Sequence, residues 1–152
     1  MPSEIGGRGY TFFVSTSRLF TLVDFALQIG RATAKQDNQH SYVNAFWQWR
    51  QTAAKNAPLD LDERFPSLDQ KKFWAVVFRN VARRIYLREL GDHTVSHWQS
   101  RAITDAVNIA RLLADEVHSE EPGWFFETED EIEEVAAGSM IADVKGSVVT
   151  GE

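Results

Sequence analysis

Between Ser67 and Gly91 the apolar side chains Phe73, Trp74, Val77, Phe78, Val81, Ala82 and Ile85 recur at the spacing of one face of an α-helix. Ser67-Leu68-Asp69-Gln70 opens the segment with a capping box, in which a serine hydroxyl and a glutamine side chain each take up an otherwise unpaired backbone N–H. Gly91 stands where a left-handed turn ends a helix. A helix with such a stripe is stable only when the stripe is covered, so the rest of the chain must supply packing partners.

Three other long segments offer them. One is predicted from about Thr16 to Thr33, capped by Thr16 or Ser17. Its polar residues Asp24, Gln28 and Arg31, continued by Lys35, occupy one narrow stripe, which predicts a central helix. The next, from about Ser41 to Ala54, sets Tyr42, Val43, Phe46, Trp47 and Trp49 against the polar stripe of Asn44, Gln48, Gln51 and Lys55. Pro58 ends it, and the stretch to Pro66 reads as a loop. The last long helix, from about Thr94 to His118, repeats Val95, Trp98, Ala102, Ala106, Ile109 and Leu113. A shorter fifth helix begins at the capping box Thr128-Glu129-Asp130-Glu131, with carboxylates in the first turn where the helix dipole favours them. Near the N-terminus, Gly6-Gly7-Arg8-Gly9 reads as a loop and Tyr10–Val14 as a short strand or an arm laid on the helices. The expected fold is all-α: a single-domain bundle of four to five helices with an N-terminal extended arm. It should occupy residues 1–138, with residues 139–152 as a mobile tail.

At 152 residues with 43% apolar content, the chain can bury a sizeable core without staples. It has no cysteine, which excludes disulfides and thiolate metal sites. Its opening Met1-Pro2-Ser3-Glu4 lacks the pattern of a signal peptide, and apolar runs such as Phe73–Phe78 are too short to span a bilayer. A cytoplasmic protein with no membrane contact and no cofactor is expected.

The net charge of −6 hides a division. Residues 1–114 hold 15 Lys and Arg against 10 Asp and Glu, whereas residues 115–152 hold one against 12. Such a density of carboxylates repels itself unless water or cations answer it. The bland account is a solvated face, and a second is internal pairing with arginines of the bundle. A third is a docking surface for a basic partner. Trp124-Phe125-Phe126 stands among these acids, and aromatic residues beside charge are the make-up of an interface hot spot. Trp124, Phe125, Glu127, Glu129, Asp130 and Glu131 are therefore the candidate partner-binding residues.

Arg79, Arg83, Arg84 and Arg88 lie on one helix at spacings that form a row. Such a row grips phosphates or, more commonly, pairs with acids of the same molecule. His93 and His97, four apart, could meet on one helical face as a metal site requires, although no HExxH accompanies them. Asp24 and His118 would be the further ligands.

Arg88-Glu89-Leu90-Gly91-Asp92-His93 spells Arg-x4-His, and Arg111 with His118 spells Arg-x6-His. An Arg followed by a His at this distance resembles the signature of the HEPN ribonucleases, all-helical domains that act on RNA without a metal. The resemblance implies phosphate contact for Arg88 and acid–base work for His93. It covers this motif and the helical class alone. The residue after the Arg is polar in that family; Glu89 agrees and Leu112 does not.

No Ser-His-Asp order, nucleophile elbow or Walker-type loop occurs, and the paired carboxylates sit in the solvated acidic block. The preferred expectation is a non-enzymatic acidic protein that binds and neutralises, or scaffolds, a basic macromolecule, in the manner of an immunity or antitoxin protein. A HEPN-like ribonuclease and a helical subunit of a nucleoprotein complex are the alternatives, the second using the four arginines on nucleic acid.

Overall fold

Arg8 and Gly9 adopt positive φ angles of 51° and 85°. Two successive residues in that region make the tight two-residue turn whose twist suits an antiparallel hairpin. Here it joins β1 (Pro2–Gly7) to β2 (Tyr10–Ser15) in continuous register from Pro2↔Ser15 to Gly7↔Tyr10. The computed structural model describes residues 2–54, 57–87 and 96–114. Its order continues with α1 (Thr16–Thr33), α2 (Asp37–Thr52), β3 (Leu59–Asp60), α3 (Leu61–Arg64), α4 (Leu68–Tyr86) and α5 (Ser96–Ala114). β3 lies parallel to β1, so the three strands form a mixed sheet in the order β2-β1-β3.

This sheet corrects the all-α expectation. What reads as a flexible loop and an extended arm is a hairpin, and part of the stretch read as a loop to Pro66 supplies the third strand and a one-turn helix. The reason lies in the pairing. Ile5, Phe12, Val14 and Leu59 all face the core, while Glu4, Thr11, Phe13 and Asp60 face outward. Each strand turns only one or two apolar side chains to the core, and the sheet is completed only when strands 54 residues apart are set side by side (Ile5↔Leu59).

The helices follow their predicted stripes with some changes. Ser15, rather than Thr16 or Ser17, caps α1, its hydroxyl accepting the Arg18 N–H at 3.2 Å. Ser67 and Gln70 form the predicted capping box of α4, at 3.1 and 3.2 Å. α2 starts earlier than its apolar pattern suggests, with Gln39 accepting the Gln36 N–H at 3.2 Å. It buries only Val43 and Phe46 fully, and Trp47, expected on the buried side, is exposed. α1 keeps its predicted polar stripe of Asp24, Gln28 and Arg31 in solvent and packs most of the remainder against α2, α4, α5 and the hairpin. α5 is the more enclosed, with Ala102, Ala106, Val107, Ile109, Ala110, Leu112 and Leu113 all buried. Its small residues let α4 run close along it, the most extensive packing in the fold, while α1 packs on both.

At the other side of α4 an aromatic cluster joins the elements. Trp74 packs edge-on against Phe46 of α2 at 4.8 Å, near-parallel to Phe65 at 5.3 Å, and edge-on against Phe73 at 5.1 Å. Gly30 of α1 admits the indole: a Cβ there would stand 3.2 Å from two Trp74 ring carbons and 3.4 Å from Val43. Among the described residues no helix is long and apolar enough to cross a membrane. The acidic segment and the tail from residue 139 lie outside the described residues.

Gly30→Ala should therefore destabilise the protein by about 1–3 kcal/mol through overpacking, although alanine is the better helix former. Equilibrium urea unfolding checks this; a stabilised variant would contradict the close approach of α1 and Trp74.

Candidate functional site

In sequence the acidic segment follows Ala114, the last described residue of α5, and a cation of the body contacts the last turn before it. Arg8, held outward by its turn conformation, donates from Nε to the Leu112 carbonyl at 2.5 Å and from Nη2 to the Leu113 carbonyl at 3.0 Å. These carbonyls lie at the negative end of the helix, where a guanidinium is favourable both as donor and as charge. The Arg8 backbone N–H is fixed in turn by Asp62 Oδ2 at 2.9 Å. The hairpin tip thus ties α3 to the last turn of α5, immediately before Asp115 and Glu116 begin the acidic run in sequence.

Arg50, Lys71 and Arg64 are matched by acids of the body. Arg50 on α2 makes a two-pronged contact with Asp24 on α1, at 2.9 and 3.3 Å, and lies over the Phe20 ring at 4.5 Å. Asp24 is therefore engaged in an inter-helix pair. Lys71 donates to the Phe65 carbonyl at 2.5 Å and stands 3.4 Å from Asp62. Arg64 is 3.4 Å from Glu63 and 5.9 Å from the centre of the Trp49 ring. Exposed pairs of this kind contribute at most about 1 kcal/mol each; their consequence here is that these cations already have anionic neighbours.

The most enclosed pair is Arg18 on α1 with Asp105 on α5, Nε to Oδ2 at 2.6 Å. Burial pushes the Asp105 carboxyl above the usual carboxylate range, and the hydrogen bond and charge of Arg18, helped by the charge of Arg101, offset only part of that. One turn on, Asn108 is also buried and its Oδ1 accepts no hydrogen bond among the described residues. Neither polar residue stands out in the sequence, because Asp105 and Asn108 fall between apolar neighbours of an ordinary amphipathic pattern. A mid-helix acid flanked by Ile103, Ala106 and Val107 is the signal that a search for buried polar groups would use.

The predicted site residues are placed as follows. Arg79 is only 6% exposed and is engaged in an interaction, as is Arg84; Arg83 and Arg84 are half-buried. The helix thus turns Arg79 inward, and the four-residue spacing does not make one solvent-facing row of it with Arg83. Arg88 and His93 lie outside the described residues, as do Trp124, Phe125, Glu127, Glu129, Asp130, Glu131 and His118. His97 belongs to the first turn of α5. Among the described residues no group of three His, Asp or Glu side chains converges as a metal site would. Compared with known proteins, the chain matches no family model, no curated protein and no solved structure.

Asp105 makes a pH signature. Below its unfolded value the carboxyl is protonated in both states. Its raised folded value means that the folded state holds the proton better, and this advantage is lost as pH rises through the folded value. The stability of the wild type relative to Asp105→Asn should therefore fall as pH rises from acid to neutral. Paired denaturant melts across that range check this; a relative stability that rises would reverse the assignment.

Proposed function

We propose that the protein is an acidic binding module, using the carboxylate-rich segment after α5 to dock on and neutralise or scaffold a basic macromolecule, in the manner of an immunity or antitoxin protein. One observation carries this reading: the segment from 115 to 152 holds 12 acidic residues and a single lysine, on a body of opposite sign. The commitment of Arg18, Arg50, Arg64 and Lys71 to acids of the body supports it, since those four cations are not spare counter-charges. Glu127, Glu129, Asp130 and Glu131 would supply the charge that steers encounter, and Trp124 and Phe125 the apolar anchors. The basic partner is a protein rather than nucleic acid, because phosphate would be repelled by this segment. A cytoplasmic setting belongs to the same proposal.

Capture of basic partners by the full chain should be lost when Glu127, Glu129, Asp130 and Glu131 are all replaced by lysine. It should also weaken in about 1 M salt, where the screening length is about 3 Å. Trp124→Ala should cost about 2 kcal/mol in affinity for the captured protein by calorimetry. Capture that survives the fourfold charge reversal removes the proposal.

A further inference from the structure

β2 is one edge of the sheet. In an antiparallel pair closed by a two-residue turn, the residues flanking the turn are hydrogen-bonded to each other and the pairing alternates from there. Tyr10, Phe12 and Val14 accordingly turn their N–H and C=O groups to β1, whereas Thr11 and Phe13 turn theirs away from it. Among the described residues no strand lies along that outer side. Native proteins guard such an edge with lysine, proline, a bulge or extreme shortness. β2 has none of these: Tyr-Thr-Phe-Phe-Val-Ser is uncharged, six residues long and paired with β1 without interruption. Its Phe13 is 64% exposed, beside an exposed Thr11 on the same outer face.

We propose that β2 is a self-association interface, through which two copies of this chain pair antiparallel about a two-fold axis at Phe12 and join their sheets into one. In that register Thr11 lies opposite Phe13 of the second copy, and Phe13 opposite its Thr11. The outward N–H and C=O groups of both residues then form four inter-chain hydrogen bonds. On each side of the axis an aromatic ring packs on a β-branched side chain, a favourable cross-strand pair. Charge favours this occupant. A charged edge would call for a partner strand of opposite sign, but an uncharged strand with this pairing is complementary to itself. The nearest acid on the outer face is Glu4, on β1 opposite Phe13. In the dimer the two Glu4 side chains would be three strand spacings across and two residues along the strand apart, about 16 Å. That exceeds the screening length of about 8 Å at physiological salt, so these two acids do not oppose the contact.

Sedimentation of the full chain from micromolar to millimolar concentration should show its mass rising from 17.3 kDa towards twice that value. Replacing both Thr11 and Phe13 by lysine sets like charges opposite one another and should raise the dimer dissociation constant at least about tenfold. Both side chains are exposed, so circular dichroism and the melting temperature should stay near wild type. The chain has no cysteine of its own, so Thr11→Cys should cross-link to a dimer with a short bis-maleimide, and Gln48→Cys on the exposed side of α2 should not. A wild type that stays at 17.3 kDa, a double-lysine variant that dimerises as tightly, or equal cross-linking at both cysteines would each overturn the proposal.

Discussion

The packing of Trp74 is the constraint on which the rest of the structure depends. Its indole meets Gly30 of α1, Phe46 of α2, Phe65 before α4, and Phe73 and Phe78 of its own helix. An aromatic of this size buries on the order of 200 Å² and so dominates local packing energetics. It also sets geometry, because α1 can approach only where it carries no side chain. The arrangement has a cost: the Trp74 Nε1 is buried with no hydrogen-bond acceptor among the described residues. An unmet buried donor costs about 1–3 kcal/mol, which packing on every face of the ring must exceed.

With the helices so placed, the polar contacts orient the sheet relative to them. Ser3 and Thr16 share a hydroxyl hydrogen bond at 2.8 Å, Arg18 reaches Asp105, and Arg8 reaches the end of α5. These join the hairpin and the start of α1 to α5, the last helix of the described body. Several cations of that body are thereby engaged within it, on a helix end or on single acids. The functional proposal follows from this contrast, since the acids that follow α5 greatly outnumber any one of these local pairings.

Much of the helical framework was legible in the chain. The α1 boundaries and the Ser67–Gln70 capping box follow from local chemistry, namely periodic apolar side chains and a hydroxyl preceding them. The errors share a cause. Trp47 reads as core because it is large and apolar, yet α2 packs through Val43 and Phe46 and leaves it outside. Arg79 reads as surface because it is charged, yet it occupies the buried side of α4 and is engaged there. Residue type predicts burial on average, whereas the neighbours decide it at each position. Of the candidate site, the carboxylate density and its aromatic insert are properties of composition and needed no fold to be seen.

The sequence by itself determined the span of α1, the capping box of α4, and how charge divides along the chain, because each of these depends on residues within a few positions of one another. Only the tertiary structure decided that the N-terminal segment is a hairpin, that Leu59 completes its sheet, and that Arg8 holds the end of α5. The hairpin pairs residues within 13 positions of one another, but the contacts of Leu59 and Arg8 that fix it in place join residues 54 to 105 positions apart. A strand's partner and a guanidinium's carbonyl are chosen by which surfaces the packed helices bring together, and no local pattern carries that information.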